Sequence, residues 1–303
     1  MRNVLIILVI SVALLLVGCG TEQNPNLATT KAFIGGTEGI VASFDPLSVK
    51  ENNIYTIFNT EDFSLDIVLR NKGEEDLLPQ KASLRLLGPA PTSFRNIPLW
   101  QLQNKEKVEK LSEFNPQGGE EIVSFTPTDG ALYTEPVTGS TDVTWNLEYT
   151  YDYKTHLIAD NVCFKGDITD EKVCTVKEVK PFSVSGAPIQ VTSVTEDVAG
   201  KGIILLRVDV KNVGVGKATI VGQGFDTRFD QVGYTIDEPT KWECKSGGRE
   251  NEARLVGGVA TVICRLRQPL DENDLYTKSV RLTFDYTYKD LVQEKLRIKE
   301  SIQ

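Results

Sequence analysis

The chain has 303 residues, 33 Lys+Arg against 42 Asp+Glu, a formal net charge of −9 and a single His. Hydrophobic residues are 40% and charged residues 25%, which supplies apolar material for about two globular domains. The acidic balance argues against a nucleic-acid binder, which needs clustered Lys and Arg to displace counterions from phosphate. One imidazole argues against most zinc enzymes and against catalysis that needs two.

Residues 2–19 read RNVLIILVISVALLLVGC. Arg2 is a short basic head, and Val4–Val17 is an apolar run of 14 residues broken only by Ser11. That is shorter than the 18 or so residues of a membrane-crossing helix and has the length of an export signal. The run closes on Leu16-Val17-Gly18-Cys19, which resembles the lipobox of bacterial and archaeal lipoproteins. The resemblance implies transfer of a diacylglyceryl group to the Cys19 thiol and cleavage after Gly18. The mature chain would then sit on the cell membrane, facing outside the cytoplasm, and two acyl chains suffice for stable attachment. The competing reading is a buried Cys in an uncleaved anchor, which leaves the remainder of the chain on the same side. Residues 1–18 are thus assigned to the signal and 19–32 to a lipid-anchored tether, because GTEQNPNLATTK is polar and without periodicity. Nothing later is apolar for long enough to span a bilayer.

Beyond the tether, β-branched and aromatic residues alternate with polar ones in short runs. Strands are predicted at Phe63–Arg70, Ser83–Leu87, Glu121–Thr126, Val143–Tyr153, Ile203–Val210, Ala260–Leu266 and Val280–Tyr288. In the fourth of these, Trp145, Leu147, Tyr149, Tyr151 and Tyr153 share one face. Residues 102–114 (LQNKEKVEKLSEF) fit a short helix or a long edge loop.

Two pairs of segments repeat. SLDIVLRNKGEED (64–76) matches ILLRVDVKNVGVGKA (204–218), each an alternating strand ending in Asn-x-Gly, at Asn71/Gly73 and Asn212/Gly214. LEYTYDYK (147–154) matches LTFDYTYK (282–289), which places Tyr151 against Tyr286 and Tyr153 against Tyr288. One unit is duplicated, with its boundary near PFSVSGAP (181–188), so that 33–185 and 186–303 are two sandwich-sized domains. Antiparallel strands at short spacing make the expected fold all-β, two tandem β-sandwiches. The Asn-x-Gly sites read as turns, since Asn and Gly tolerate positive φ.

Cys163, Cys174, Cys244 and Cys264 remain once Cys19 is set aside, and an even number in an exported chain favours disulfides. Cys163 and Cys174 flank the polar stretch FKGDITDEKV, expected as a hairpin, and Cys244 and Cys264 flank a longer Gly-rich excursion. The spacing predicts Cys163–Cys174 and Cys244–Cys264, one staple per half. A four-Cys metal site is the alternative, and it lacks any C-x-x-C pair.

Several of these segments together carry a resemblance. FIGGTEGIVASF (33–44), the strand ending at Asn71-Lys72-Gly73, FNPQGGEE (114–121), the VC…VC pair and SGAPIQVTSV (185–194) resemble uncharacterised archaeal cell-surface proteins with tandem immunoglobulin-like domains. The second half is also similar to adhesion-related immunoglobulin-like modules of prokaryotic surfaces. The resemblance implies fold and address, not a ligand. The antibody-type bridge between facing sheets, with Trp packed on it, is absent, which weakens any inference to antibody-like recognition.

Signatures of chemistry are sparse. No G-x-S-x-G elbow occurs, and His156 is expected as a strand-end or loop residue without a nucleophile or orienting acid. Gly214-Val215-Gly216-Lys217 lacks the third Gly and the helix of a phosphate loop. Two acidic loops, one with Asp167, Asp170 and Glu171 and one with Asp271, Glu272 and Asp274, offer hard oxygen ligands that suit weak Ca²⁺ binding, although neither matches a fixed spacing and solvated turns are favoured. No other cofactor is expected. No Asn-x-Ser/Thr sequon occurs.

The expected function is that of a non-enzymatic, membrane-anchored lipoprotein with a structural or binding role, its partner an envelope protein or glycan and not a nucleic acid. Two alternatives compete. A transporter's substrate-binding lipoprotein would need two α/β lobes, and a surface hydrolase would need convergent carboxylates of raised pKa.

Overall fold

A computed structural model describes residues 32–169 and 173–301. The expected export signal, Cys19, the expected tether up to residue 31, and Asp170 and Glu171 lie outside the described residues. In chain order the first half contains β1 (Ile40–Phe44), β2 (Val49–Glu51), β3 (Ile54–Phe58), β4 (Asp66–Asn71), β5 (Ala82–Gly88), β6 (Phe94–Arg95), β7 (Gln101–Gln103), β8 (Glu120–Ser124), β9 (Leu132–Tyr133), β10 (Ser140–Lys165) and β11 (Phe182–Val184). The second contains β12 (Ile189–Gly200), β13 (Ile203–Asn212), β14 (Lys217–Thr219), β15 (Phe229–Ile236), β16 (Trp242–Lys245), β17 (Glu252–Val256), β18 (Val259–Leu266) and β19 (Leu275–Lys299). The described residues contain one 3₁₀ turn, Pro91–Ser93, and no α-helix. Residues 102–114 are therefore an edge segment, held by β7, by the bridge from Val108 to Leu77 and by bonds such as those of the Lys105 amide to Glu121 and the Leu111 amide to Gly73. The fold is all-β, with large antiparallel sheets stacked about a core, as the alternating patterns predict.

One three-stranded sheet runs β1-β4-β8. The large sheet is ordered β12-β13-β18-β17-β15-β19-β10-β5-β7, with β3, β11, β14 and β16 attached to its sides. The repeat aligns β4 with β13, so β1-β4-β8 has its counterpart in β12-β13-β18. It also aligns β10 with β19, and these two strands pair with each other.

That pairing is the spine of the molecule. It runs antiparallel from Ser140↔Lys299 to Lys165↔Leu275, with one shift between Ala159 and Val162. The repeat equates Tyr151 with Tyr286 and Tyr153 with Tyr288, while the register pairs Tyr151 with Tyr288 and Tyr153 with Tyr286. Crossed pairing of equivalent positions is the signature of a local two-fold axis, which here passes through Asp152↔Thr287. Each half thus presents the same strand to the other, as an isologous dimer interface does. Residues 32–303 group as one compact unit, and no break in packing falls at 181–188.

Period-2 burial explains why these strands hold. Trp145, Leu147, Tyr149, Tyr151 and Tyr153 on β10 and Leu282, Phe284, Tyr286 and Tyr288 on β19 are all buried. Each large aromatic side chain so buried contributes on the order of 2–3 kcal/mol from apolar area alone. The opposite face carries Glu148, Asp152, Lys154 and His156, with Thr283, Asp285 and Thr287 across from them. His156 is consequently not a strand-end or loop residue; it sits well inside β10, because the strand continues beyond Tyr153 to Lys165.

Candidate functional site

The repeated Asn-x-Gly motif builds the same cage twice. In the first half the Tyr153 hydroxyl donates to Asn71 Oδ1 at 2.9 Å and accepts from the Glu75 amide at 3.2 Å. Asn71 Nδ2 donates to the Glu75 carbonyl at 2.7 Å, and its Oδ1 accepts from the Gly73 amide at 3.1 Å. In the second half Tyr288 donates to Asn212 Oδ1 at 3.1 Å and accepts from the Gly216 amide at 2.9 Å. Asn212 Nδ2 donates to the Gly216 carbonyl, and Gly214 N donates to Asn212 Oδ1. Positive φ is not what these sites require of glycine: neither Gly73 nor Gly214 has it. A Cβ at either position would collide with the tyrosine hydroxyl, so close approach selects the glycine. The Gly214–Gly216 stretch has its backbone committed to Pro188, Asn212 and Tyr288.

The outer face of the spine carries a cleft of 510 Å³ at the two-fold axis, lined by Glu75, Asp76, Lys81, Asp152, Lys154, Thr283 and Asp285 among others. At its centre Asp152 Oδ1 accepts from the Thr287 hydroxyl at 2.6 Å, while Lys81 Nζ lies 3.3 Å from Oδ2. His156 stands beside the cleft, with Nε2 3.0 Å from Glu75 Oε2 and Nδ1 3.3 Å from the Thr283 hydroxyl. The Phe33 ring stacks on the imidazole, with centroids 6.4 Å apart. Acid, imidazole and hydroxyl are therefore in line. Sequence reasoning missed this because Glu75 and Thr283 lie 81 and 127 positions from His156.

Asp285 gives the cleft its electrostatic character. Burial pushes its carboxyl above the ordinary range, against the opposing pull of Lys154. Gly233 packs directly on it, and a Cβ there would sit 2.7 Å from the carboxylate. At Asp76 burial acts in the same upward direction, but the bonds from Lys107 and the Lys110 amide outweigh it and hold the carboxyl below its usual value. Two neighbouring acids in one cleft are thus pushed opposite ways.

The structure bonds Cys163 to Cys174 and Cys244 to Cys264. Cys244 and Cys264 are direct cross-strand partners on β16 and β18. Cys163 closes β10, but residues 173–178 form no strand, so the expected hairpin has only one strand arm. That arm is fixed instead by buried charge. Glu196 accepts from the Cys163 amide at 3.0 Å and pairs with Lys180 Nζ at 2.7 Å, both side chains being essentially inaccessible. Burial raises the Glu196 carboxyl, which Lys180 and the amide counteract. Lys180 also donates to the Thr175 carbonyl, and Lys165 to that of Cys174.

The two acidic loops meet. Gly166 packs against the Asp271–Glu272 backbone, and its amide donates to the Asp274 carbonyl. Two of the carboxylates turn inward on their own loops: Asp167 accepts from the amide and hydroxyl of Thr169, and Asp274 from the Asp271 amide. Those two bonds from Thr169 keep the Asp167 carboxyl below its ordinary value. Glu272 pairs with Lys201, which places a cation between the loops. Among the described residues no group of three His, Cys, Asp or Glu side chains is placed to hold a metal ion.

The chain matches no protein-family model, and a search of curated proteins returns no match.

Proposed function

We propose that the protein is a membrane-anchored, non-enzymatic envelope lipoprotein, built of two immunoglobulin-like sandwich halves, that serves as a rigid binding or structural body outside the cytoplasm. The anchor rests on Arg2, the Val4–Val17 run and Cys19 in the sequence. The observation that carries the non-enzymatic part is where the buried charge goes. Glu74 accepts three backbone amides, from Ile34, Gly35 and Gly186. Glu121 accepts those of Lys105 and Glu106, Asp230 takes Asn212 and the Ala218 amide, and Glu196, Lys180 and Lys165 lock the Cys174 loop. Each of these groups holds separate segments together: loop to loop at Glu74, loop to strand at Glu121, strand to strand at Asp230, and strand ends and a loop at Glu196, Lys180 and Lys165, which is the use expected in a body selected for rigidity.

The test is made on the cell envelope. Cys19→Ser should abolish lipid labelling and release the chain from the membrane fraction, and crosslinking of the unaltered protein should recover one repeated envelope protein. A Cys19→Ser chain that still fractionates with lipid overturns the anchor, and a crosslinking pattern without a recurrent partner overturns the binding role.

A second reading, a surface hydrolase, is favoured by one observation, the raised carboxyl of Asp285 in the outer cleft. It expects hydrolytic turnover that Asp285→Asn abolishes. Screening against ester, peptide and glycoside substrates decides between the two readings.

A further inference from the structure

Five tyrosines stand on the inner face of the spine, and four of their hydroxyls have protein partners. Tyr149 donates to Asp290 at 3.4 Å, Tyr153 to Asn71, Tyr288 to Asn212, and Tyr286 shares a bond of 3.0 Å with the Thr155 hydroxyl. Tyr151 is 2% exposed, and among the described residues no group bonds to its hydroxyl. A tyrosine hydroxyl without a protein partner needs access to solvent or to a ligand. This one reaches the floor of a 270 Å³ groove between the halves, directly beneath Gly39, where a Cβ would come within 2.8 Å of it.

The two-fold axis shows what is different here. It relates Tyr151 to Tyr286 and Asp290 to Thr155. On one side the neutral Thr155 hydroxyl donates to the Ile189 carbonyl and accepts from Tyr286. On the other the equivalent position is Asp290, whose Oδ1 accepts the Leu291 amide and whose Oδ2 faces Tyr149, so that Tyr151 is left without a partner. Tyr286 on the counterpart side is fully buried, whereas Tyr151 lines an open groove. Glu38 adds a second carboxylate at its rim, and no Lys or Arg lines it. The Tyr149 and Tyr151 rings stack 6.1 Å apart, with Tyr288 tilted against Tyr151 at 5.8 Å.

An unpaired hydroxyl, two carboxylates, tyrosine rings and no cation define a receptor for a positive group that donates hydrogen bonds. We propose that this groove binds an alkylammonium group, the ammonium held between Asp290 and the Tyr151 hydroxyl with its alkyl stem against the tyrosine rings. Ring faces attract cations and their edges tolerate aliphatic chains. A free amine and a lysine side chain both offer this chemistry.

Calorimetric titration of the full chain at low ionic strength, with n-butylammonium chloride and n-butanol as its neutral control, tests the proposal. Saturable one-to-one binding of the cation is expected, without binding of the alcohol. Asp290→Asn should weaken it by about tenfold or more, the worth of a charge-assisted contact. Tyr151→Phe should weaken it by about three- to tenfold and leave the melting temperature of the free protein unchanged, because that hydroxyl has no partner to lose. Tighter binding of n-butylammonium than of Nα-acetyl-lysinamide assigns the site to free amines, and the reverse order assigns it to protein lysines. Absence of saturable binding, equal binding of n-butanol, or unchanged affinity in a folded Asp290→Asn variant overturns the proposal.

Discussion

The two Tyr–Asn cages are chemically the same and differently housed. Asn71 and Tyr153 are sealed, and the neighbouring Glu74 ties in residues 34, 35 and 186. Asn212 is partly exposed, is bonded in addition to Asp230, and stands beside the open groove. Both cages make the same bonds, joining the end of β4 or β13 to the spine. Their surroundings differ, so that one cage is purely a structural fastening while the other borders a surface with unmet hydrogen-bonding capacity.

The largest expected effect concerns the joint that crosses between halves, where Glu196 of β12 holds the Cys163 end of β10. Glu196→Ala leaves Lys180 without its most deeply buried partner and should cost about 3–5 kcal/mol in urea unfolding, as breaking buried ion pairs does. A loss near zero would mean that Glu178 and the Thr175 carbonyl suffice for Lys180 and that the joint contributes little.

The cages come next. Asn71→Ala strips a sealed site of its bonds and should destabilise by about 3 kcal/mol, whereas Asn212→Ala, where water can substitute, should lose about 1–1.5 kcal/mol. Urea midpoints at constant m-value measure both. Equal losses would erase the difference in housing described above.

Smaller still is an effect of pH confined to the second half. Lys245 and Arg265 hold the Glu243 carboxyl down to about 2, from an ordinary value near 4.5. A carboxyl depressed on folding stabilises fully above its unfolded value, and the contribution is lost as pH falls through the folded one. Unfolding followed between pH 6 and pH 2 should thus show a shallower decline for Glu243→Gln than for the unaltered chain. The pair is at the surface, so added salt should shrink the difference.

Much of the fold was legible because it is local. The period-2 pattern located strands later found as β4, β5, β8, β10, β13, β18 and β19, since alternation reports which face of a strand is buried. Cysteine spacing indicated the pairs that the structure bonds. The spine was not legible, because nothing within LEYTYDYK or LTFDYTYK states that these two segments pair with each other across 137 positions, as Tyr151 and Tyr288 do. The outer cleft was hidden for the same reason: Glu75, His156, Thr283 and Asp285 meet only through long-range pairing. At Gly73 and Gly214 the turn was correctly placed and its cause was not, since a tyrosine hydroxyl arriving from another strand cannot be read from the turn itself. Asp290 looked like one acid among 42; only the two-fold relation to Thr155 singles it out.

The central structural claim is that two repeats share one spine and therefore fold as one body. Scanning calorimetry of the full chain tests it most directly. One cooperative transition is expected, with calorimetric and van't Hoff enthalpies in agreement and with Asn71→Ala and Asn212→Ala both moving that same transition. Two separable transitions, each shifted by the substitution in its own half alone, would contradict it.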